Sequence, residues 1–260
     1  MKKTINMNQL KIIGFLLSLF LICTSCYQED KEVITIATSA NMQFAIEEIT
    51  KAFTKKTGLS CTLVIGSSGK LTAQIKEGAP YDIFVAANMK YPNEIHKSGL
   101  AADIPKIYAL GQLVLWSVDT EVPTSIRQLT HRNIHHIALA NPKTAPYGEA
   151  AVQVLQQARM YDSVIDKLVY GESIAQTNQF IISKSAEIGF TAKSVVMSPR
   201  MKGKGVWVEL DKNTYSPIDQ GVVAIKSTEE HMKRSEKFYD FLFSSEAREI
   251  LEDFGYLVTE

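Results

Sequence analysis

Cysteine is scarce in this chain of 260 residues: there are three, and two of them, Cys23 and Cys26, fall within the first 26 positions. With only Cys61 beyond that stretch, the rest of the chain has no internal disulfide and no clustered-cysteine metal site. Cys61 sits in the strand-like run Cys61-Thr62-Leu63-Val64 and reads as an inert buried thiol. Net charge is missing too, since 28 Lys and Arg face 28 Asp and Glu. Without a basic excess there is no electrostatic footprint for nucleic acid, and none is expected as a partner. The five histidines (His96, His131, His135, His136 and His231) are scattered, and the three in one linker read as a solvated patch rather than a metal site. Internal repeats and low-complexity tracts are lacking. The apolar run Ile12–Ile22 falls short of the roughly 20 residues that a membrane-spanning helix needs.

That run follows Lys2, Lys3 and Lys11, the basic start and apolar middle of a secretory leader. Cys23-Thr24-Ser25-Cys26 then has the form of a lipobox, although Cys23 stands where leucine is usual. Residues 1–25 are expected to be removed, Cys26 to be acylated, and residues 26–31 to tether the domain to a membrane of the cell envelope. Removing the leader takes away three lysines and no acid, which leaves 25 basic residues against 28 acidic ones. Any anion held by such a chain is held by local hydrogen bonds and dipoles, not by a bulk positive field. The remaining length exceeds one typical domain and fits two lobes of about 100 residues each.

Runs rich in β-branched residues alternate with runs of helical period, the pattern of α/β units. Strands are predicted at residues 33–37, 63–65, 82–87, 113–118, 136–140, 168–170, 187–191 and 221–225. Helices are predicted at 44–53, 71–75, after Gly148, at 174–183, and from about Thr228 to Phe254 with a break near Ser244-Ser245, where Ser245 would cap the last helix. The C-terminal piece has no core of its own, so it returns to the first lobe. The expected organisation is lobe 1 from residues 32–112 plus 218–260 and lobe 2 from 113–217, joined as a hinged clamshell.

Chemistry is carried by the turns. Gly66-Ser67-Ser68-Gly69-Lys70 invites a P-loop reading, but Val64 and Leu71 occupy two of that motif's fixed positions. The hydrolase elbow Gly-x-Ser-x-Gly is not formed either. The carboxylate pairs Glu47-Glu48 and Glu229-Glu230 fall on exposed helix faces, so acid–base catalysis is not expected. Four strand–loop–helix junctions remain, around Ser39, around Ser68, at Pro146-Tyr147-Gly148 and at Glu172-Ser173-Ile174. Serine before a helix is most often only a cap. Four such junctions, two per lobe and facing one cleft, would instead present unpaired N–H groups to an anion.

At these residues the sequence resembles the periplasmic molybdate-binding proteins of molybdate ABC importers. The matching pieces are Ala37-Thr38-Ser39 followed by a helix, Gly66-Ser67-Ser68-Gly69-Lys70-Leu71, Gly78-Ala79-Pro80-Tyr81-Asp82-Ile83-Phe84-Val85-Ala86-Ala87, Leu139-Ala140-Asn141-Pro142 with Ala145-Pro146-Tyr147-Gly148, and Glu187-Ile188-Gly189-Phe190. The resemblance implies a two-lobed type II periplasmic-binding fold, without catalytic residues or cofactor, that captures molybdate or tungstate for a membrane permease. It implies that Ser39 and Ser68 each donate a hydroxyl and a backbone N–H, and that Tyr147 and Ile174 each donate a backbone N–H. The metal is then held only through its oxygens, with no direct protein ligand. Where bacterial members carry a donating tyrosine this chain has Ala192, and the Tyr147 phenol is its possible replacement, with a place at the cleft rim as the alternative. Glu149 and Glu172 are predicted to point to solvent, since either one turned inward would repel the ligand. A monomer is expected. The rival readings are a sulfate-binding protein of the same fold, an enzyme acting on a small anionic substrate, and a sensing lipoprotein without a transporter.

Overall fold

The structure is a computed structural model that describes residues 33–258 apart from Pro123; the leader, Cys26 and the tether lie outside the described residues. In chain order the first elements are β1 (Val33–Ser39), a 3-10 turn (Ala40–Met42), α1 (Gln43–Thr57), β2 (Ser60–Gly66), α2 (Ser68–Lys76), β3 (Ile83–Ala86), α3 (Lys90–Lys97) and β4 (Lys106–Gly111). Next come β5 (Leu113–Ser117), β6 (Ile137–Ala140), α4 (Pro146–Gln157), α5 (Tyr161–Val164), β7 (Leu168–Gly171), α6 (Ile174–Ile182), β8 (Ile188–Ala192), α7 (Lys193–Val196) and β9 (Val206–Glu209). The last are β10 (Ile218–Ala224), α8 (Glu229–Leu242) and α9 (Ser245–Asp253).

Two five-stranded sheets result, in the orders β2-β1-β3-β10-β4 and β7-β6-β8-β5-β9. Each has a parallel trio, β2-β1-β3 or β7-β6-β8, extended by antiparallel strands. The architecture is the α/β one of two mixed sheets flanked by helices that the sequence predicts. β3 and β6 are buried along their whole length, so they read as unbroken apolar runs; β2, at an edge, is half exposed. Register sets the site: Ser39 pairs with Gly66 in one sheet and Ala140 with Gly171 in the other, so the carboxyl ends of neighbouring parallel strands finish level.

The first sheet is covered on both faces. Ile34 and Ile36 face α1, α8 and α9, while Ala37 and Phe84 face Leu71 and Ile75 of α2 and Tyr91 and Ile95 of α3. Phe53 of α1, fully buried, meets Phe238 and Phe241 of α8 edge-on at 5.2 and 5.5 Å, the geometry that aromatic quadrupoles favour. This contact returns the C-terminal helices to the first sheet. The last helix is capped one residue earlier than the sequence predicts: the Ser244 hydroxyl, not that of Ser245, accepts the Ala247 N–H.

The chain passes between the sheets at residues 111–113 and again at 210–217. Gly111 marks the first crossing. A Cβ there would lie 2.2 Å from the Tyr147 phenol oxygen and 2.8 Å from Gln220 Nε2, so only glycine fits.

Candidate functional site

All four junctions open at the carboxyl ends of parallel strands, where open α/β sheets place their ligands. β1 leads to the 3-10 turn after Ser39, β2 to α2 after Ser67, β6 to α4 through Ala145, and β7 to α6 after Ser173. They converge on one small cavity, lined by residues 39–41, 66–68 and 145–147 with Ala87 and Ile174. Ser39, Ser68, Tyr147 and Ile174 are all among its lining residues. A larger groove between α1, α7 and α9, lined by Lys51, Lys55, Met197, Ile250 and Phe254, contains none of the junctions.

Three of the four helix starts at this cavity lack a side-chain cap; at the fourth, α6, the Ser173 hydroxyl accepts the Gln176 N–H. Neither Ser39 nor Ser67 makes a side-chain cap bond, and Ala145 has no polar side chain to offer. Away from the cavity, Thr228 and Ser244 cap α8 and α9 with their hydroxyls, as serine and threonine ordinarily do. First-turn N–H groups have no intrahelical acceptor. Those of Ser68, Tyr147 and Ile174 find no other acceptor among the described residues.

The hydroxyls differ in how they are engaged. Ser68 Oγ, fully buried, accepts the Ala87 N–H at 3.0 Å, which leaves its own proton free to donate. Ser39 Oγ donates to Asn41 Oδ1 at 2.8 Å, so it serves a ligand only by giving up that bond. Ser67 Oγ is buried without a partner among the described residues, and nothing in the sequence singles it out within its loop.

Behind Ser39 lies a polar network that the sequence does not reveal. Asn41 Nδ2 donates to Gln220 Oε1 at 2.7 Å and to the Tyr256 phenol at 2.9 Å. Ser194, at the start of α7 in the second lobe, donates to the Asn41 carbonyl at 2.8 Å. Gln220 Nε2 donates to the carbonyls of Ala87 and Ile218. Asn41 thus joins the first cavity turn to the crossing strand β10, to the C-terminal tail and to the second lobe.

The Tyr147 phenol does not sit at a cleft rim. Its side chain is 1 % exposed and its oxygen, pressed against Gly111, has no partner among the described residues. Burial pushes this phenol well above its ordinary pKa, with smaller contributions from the neighbouring Tyr256, Tyr108 and Tyr215, opposed in part by the nearby Asn41 amide. It therefore stays protonated at neutral pH. Ala192 is buried at the end of β8.

Among the described residues no carboxylate, lysine, arginine or histidine lines the cavity. Glu149 and Glu172 are exposed, and Glu172 pairs with Lys70. Asp82, in the Gly78–Phe84 stretch of the resemblance, does not line the cavity: it accepts the Thr35 N–H at 2.7 Å and faces His231 Nδ1 at 2.9 Å, tying β1 and α8 to the start of β3. The linker histidines His131, His135 and His136 are exposed, as expected of a solvated patch, and the backbone N–H groups of His135 and His136 donate to Glu187. Among the described residues no group of three or more His, Cys, Asp or Glu is placed to hold a metal.

Residues 34–257 match the family model of the bacterial extracellular solute-binding proteins. The molybdate-binding protein ModA of Rhodobacter capsulatus is 37 % identical over 230 residues, 88 % of this chain and 89 % of that protein. Its counterpart from Azotobacter vinelandii is 34 % identical over 235 residues, 89 % of this chain and 92 % of that one. The solved periplasmic molybdate-binding protein of Azotobacter vinelandii superposes with a TM-score of 0.83 at 31 % identity, over 87 % of this chain and 100 % of that one. A cavity walled by helix starts from two sheets agrees with these likenesses, and the chain belongs to the bacterial extracellular solute-binding proteins, in the family of the ModA proteins.

Proposed function

We propose that this extracytoplasmic binding protein captures molybdate, or tungstate, and delivers it to the membrane permease of an ABC importer. One observation carries the reading: four helix starts, two from each sheet, meet at a single cavity that offers N–H and O–H donors and no carboxylate. A fully ionised tetrahedral dianion has only acceptors to offer, so a wall of donors suits it. Phosphate near neutral pH keeps a proton and calls for an acceptor, whereas no carboxylate of the described residues lines this cavity. Sulfate has molybdate's charge and acceptor pattern and differs in size; the relatives named for molybdate favour the larger ion.

In this reading Ser68 gives its hydroxyl and N–H, Ser39 its hydroxyl and N–H, and Tyr147 and Ile174 their N–H groups. The metal has no direct protein ligand, no cofactor takes part, and no bond is made or broken. The relatives are binding proteins, and this chain is one as well, not an enzyme. The ligand touches both lobes only when they are closed and so shifts the hinge equilibrium toward closure. Acylation at Cys26 would hold the protein, as a monomer, at the membrane beside its permease.

Calorimetric titration of the soluble domain with molybdate, tungstate, sulfate and phosphate tests the reading. Saturable heat with the first two at one site per chain is expected. Heat with sulfate and none with molybdate would overturn it.

A further inference from the structure

The loop that resembles a P-loop contains two residues that the anion site does not use, Gly69 and Lys70. Both reach across the cleft. The Gly69 N–H donates to the Thr144 carbonyl at 2.9 Å, and Lys70 Nζ lies 2.5 Å from Glu172 Oε1. Gly69 and Lys70 open α2 on the first sheet, whereas Thr144 and Glu172 precede α4 and α6 on the second. The contacts therefore span the mouth of the cavity, one residue beyond the Ser68 donor.

Gly69 has no left-handed backbone that would require glycine. Its reason is proximity. A Cβ at position 69 would lie 3.0 Å from Thr144 Cα and 3.1 Å from the Thr144 carbonyl oxygen, and backbone atoms do not yield as a flexible side chain would. Thr144 is itself fixed in a turn, where its N–H and that of Ala145 donate to the Asn141 carbonyl. A methyl group at 69 would act as a wedge in the closed arrangement and meet nothing once the lobes part. In helical geometry alanine is otherwise preferred over glycine.

We propose that Gly69 and Lys70, with Thr144 and Glu172, form a strap across the cleft that sets how long the captured anion is held, without touching it. The ion pair also keeps the Glu172 carboxylate occupied outside the cavity. Half of each side chain is exposed (51 % and 60 %), so the pair's effect is modest and sensitive to salt. The glycine's effect is larger, because apparent affinity falls with the fraction of molecules able to close.

The inference rests on the anion-capture reading. Its test is stopped-flow release of molybdate from the wild type, Gly69→Ala, Lys70→Ala, Glu172→Ala and the Lys70→Ala/Glu172→Ala pair, with the thermal midpoint measured without anion. For Gly69→Ala, release at least about tenfold faster with an unchanged or raised midpoint is expected. Each charge deletion should speed release by about two- to fivefold at low salt. The double deletion should do no more than either single one, and the difference should fade at high salt. Wild-type release from Gly69→Ala, or additive charge deletions, would overturn the strap. If the wild type binds no molybdate, the capture reading fails on its own, and small-angle scattering then decides the strap. A larger radius of gyration for Gly69→Ala than for the wild type supports it, and equal radii contradict it.

Discussion

In the first sheet the parallel trio β2-β1-β3 ends in Ser39 and in Ser67-Ser68; in the second the equivalent trio β7-β6-β8 ends in Pro146-Tyr147 and Ser173-Ile174. The strand arrangement is repeated, but the donors are not. The first lobe brings hydroxyls as well as amides to the cavity. The second brings amides alone, because the Ser173 hydroxyl accepts the Gln176 N–H as the α6 cap and the Tyr147 phenol lies against Gly111. In the proposed grip, one half would therefore be exposed to side-chain substitution, while the other is written into the backbone.

The largest expected effect falls on the hydroxyl side. Ser68→Ala removes a donor to the anion, for a loss of about 3 kcal/mol in molybdate affinity by calorimetry, and strands the buried Ala87 N–H, which lowers stability with or without the anion. Ser39→Ala should cost somewhat less, about 2 kcal/mol, since its hydroxyl must first leave Asn41. Normal affinity in both would erase the difference between the lobes.

Gly111→Ala probes the crossing at which Tyr147 of the second lobe packs against the end of β4. The new methyl group collides with the Tyr147 phenol and Gln220, and about 1–2 kcal/mol of stability should be lost in urea titration. Adding Tyr147→Phe should recover part of that loss, because the clashing atom is the phenol oxygen. An unrecovered double variant would place the collision elsewhere.

Smaller still are the effects on the amide side. Tyr147→Phe and Ile174→Val keep their N–H groups and should each change affinity by less than about 0.5 kcal/mol; Tyr147→Phe should leave stability equal or higher, since the buried hydroxyl has no partner to lose. A tenfold loss of affinity in Tyr147→Phe would make the phenol a ligand donor. Affinity should also be flat between pH 6 and 9, because the one ionisable group on the cavity wall, the Tyr147 phenol, is held well above its ordinary range by burial. A step in that interval would point to a titrating group at the anion.

What the sequence reveals divides along similar lines. The α/β class and the four helix starts are local features, carried by β-branched runs that end in small polar residues, and they are legible. β4 and β9 are not. Lys106 and Ile107 expose the first half of β4, and the four residues of β9 form a partly exposed edge, so neither leaves an unbroken apolar run. The network around Asn41 is invisible for another reason: its partners Gln220 and Tyr256 are 179 and 215 positions away, and no periodicity links them. The strap is hidden in the same way, since Lys70 and Glu172 look like ordinary surface charges until the lobes bring them together 102 positions apart.

Anomalous diffraction from crystals of the soluble domain grown with tungstate tests the central claim most directly. One strong peak is expected per chain, inside the cavity, with oxygens in hydrogen-bond reach of Ser39, Ser68 and the N–H groups of Tyr147 and Ile174. A peak in the groove beside Lys51 and Lys55, or one touching a single lobe, would contradict it.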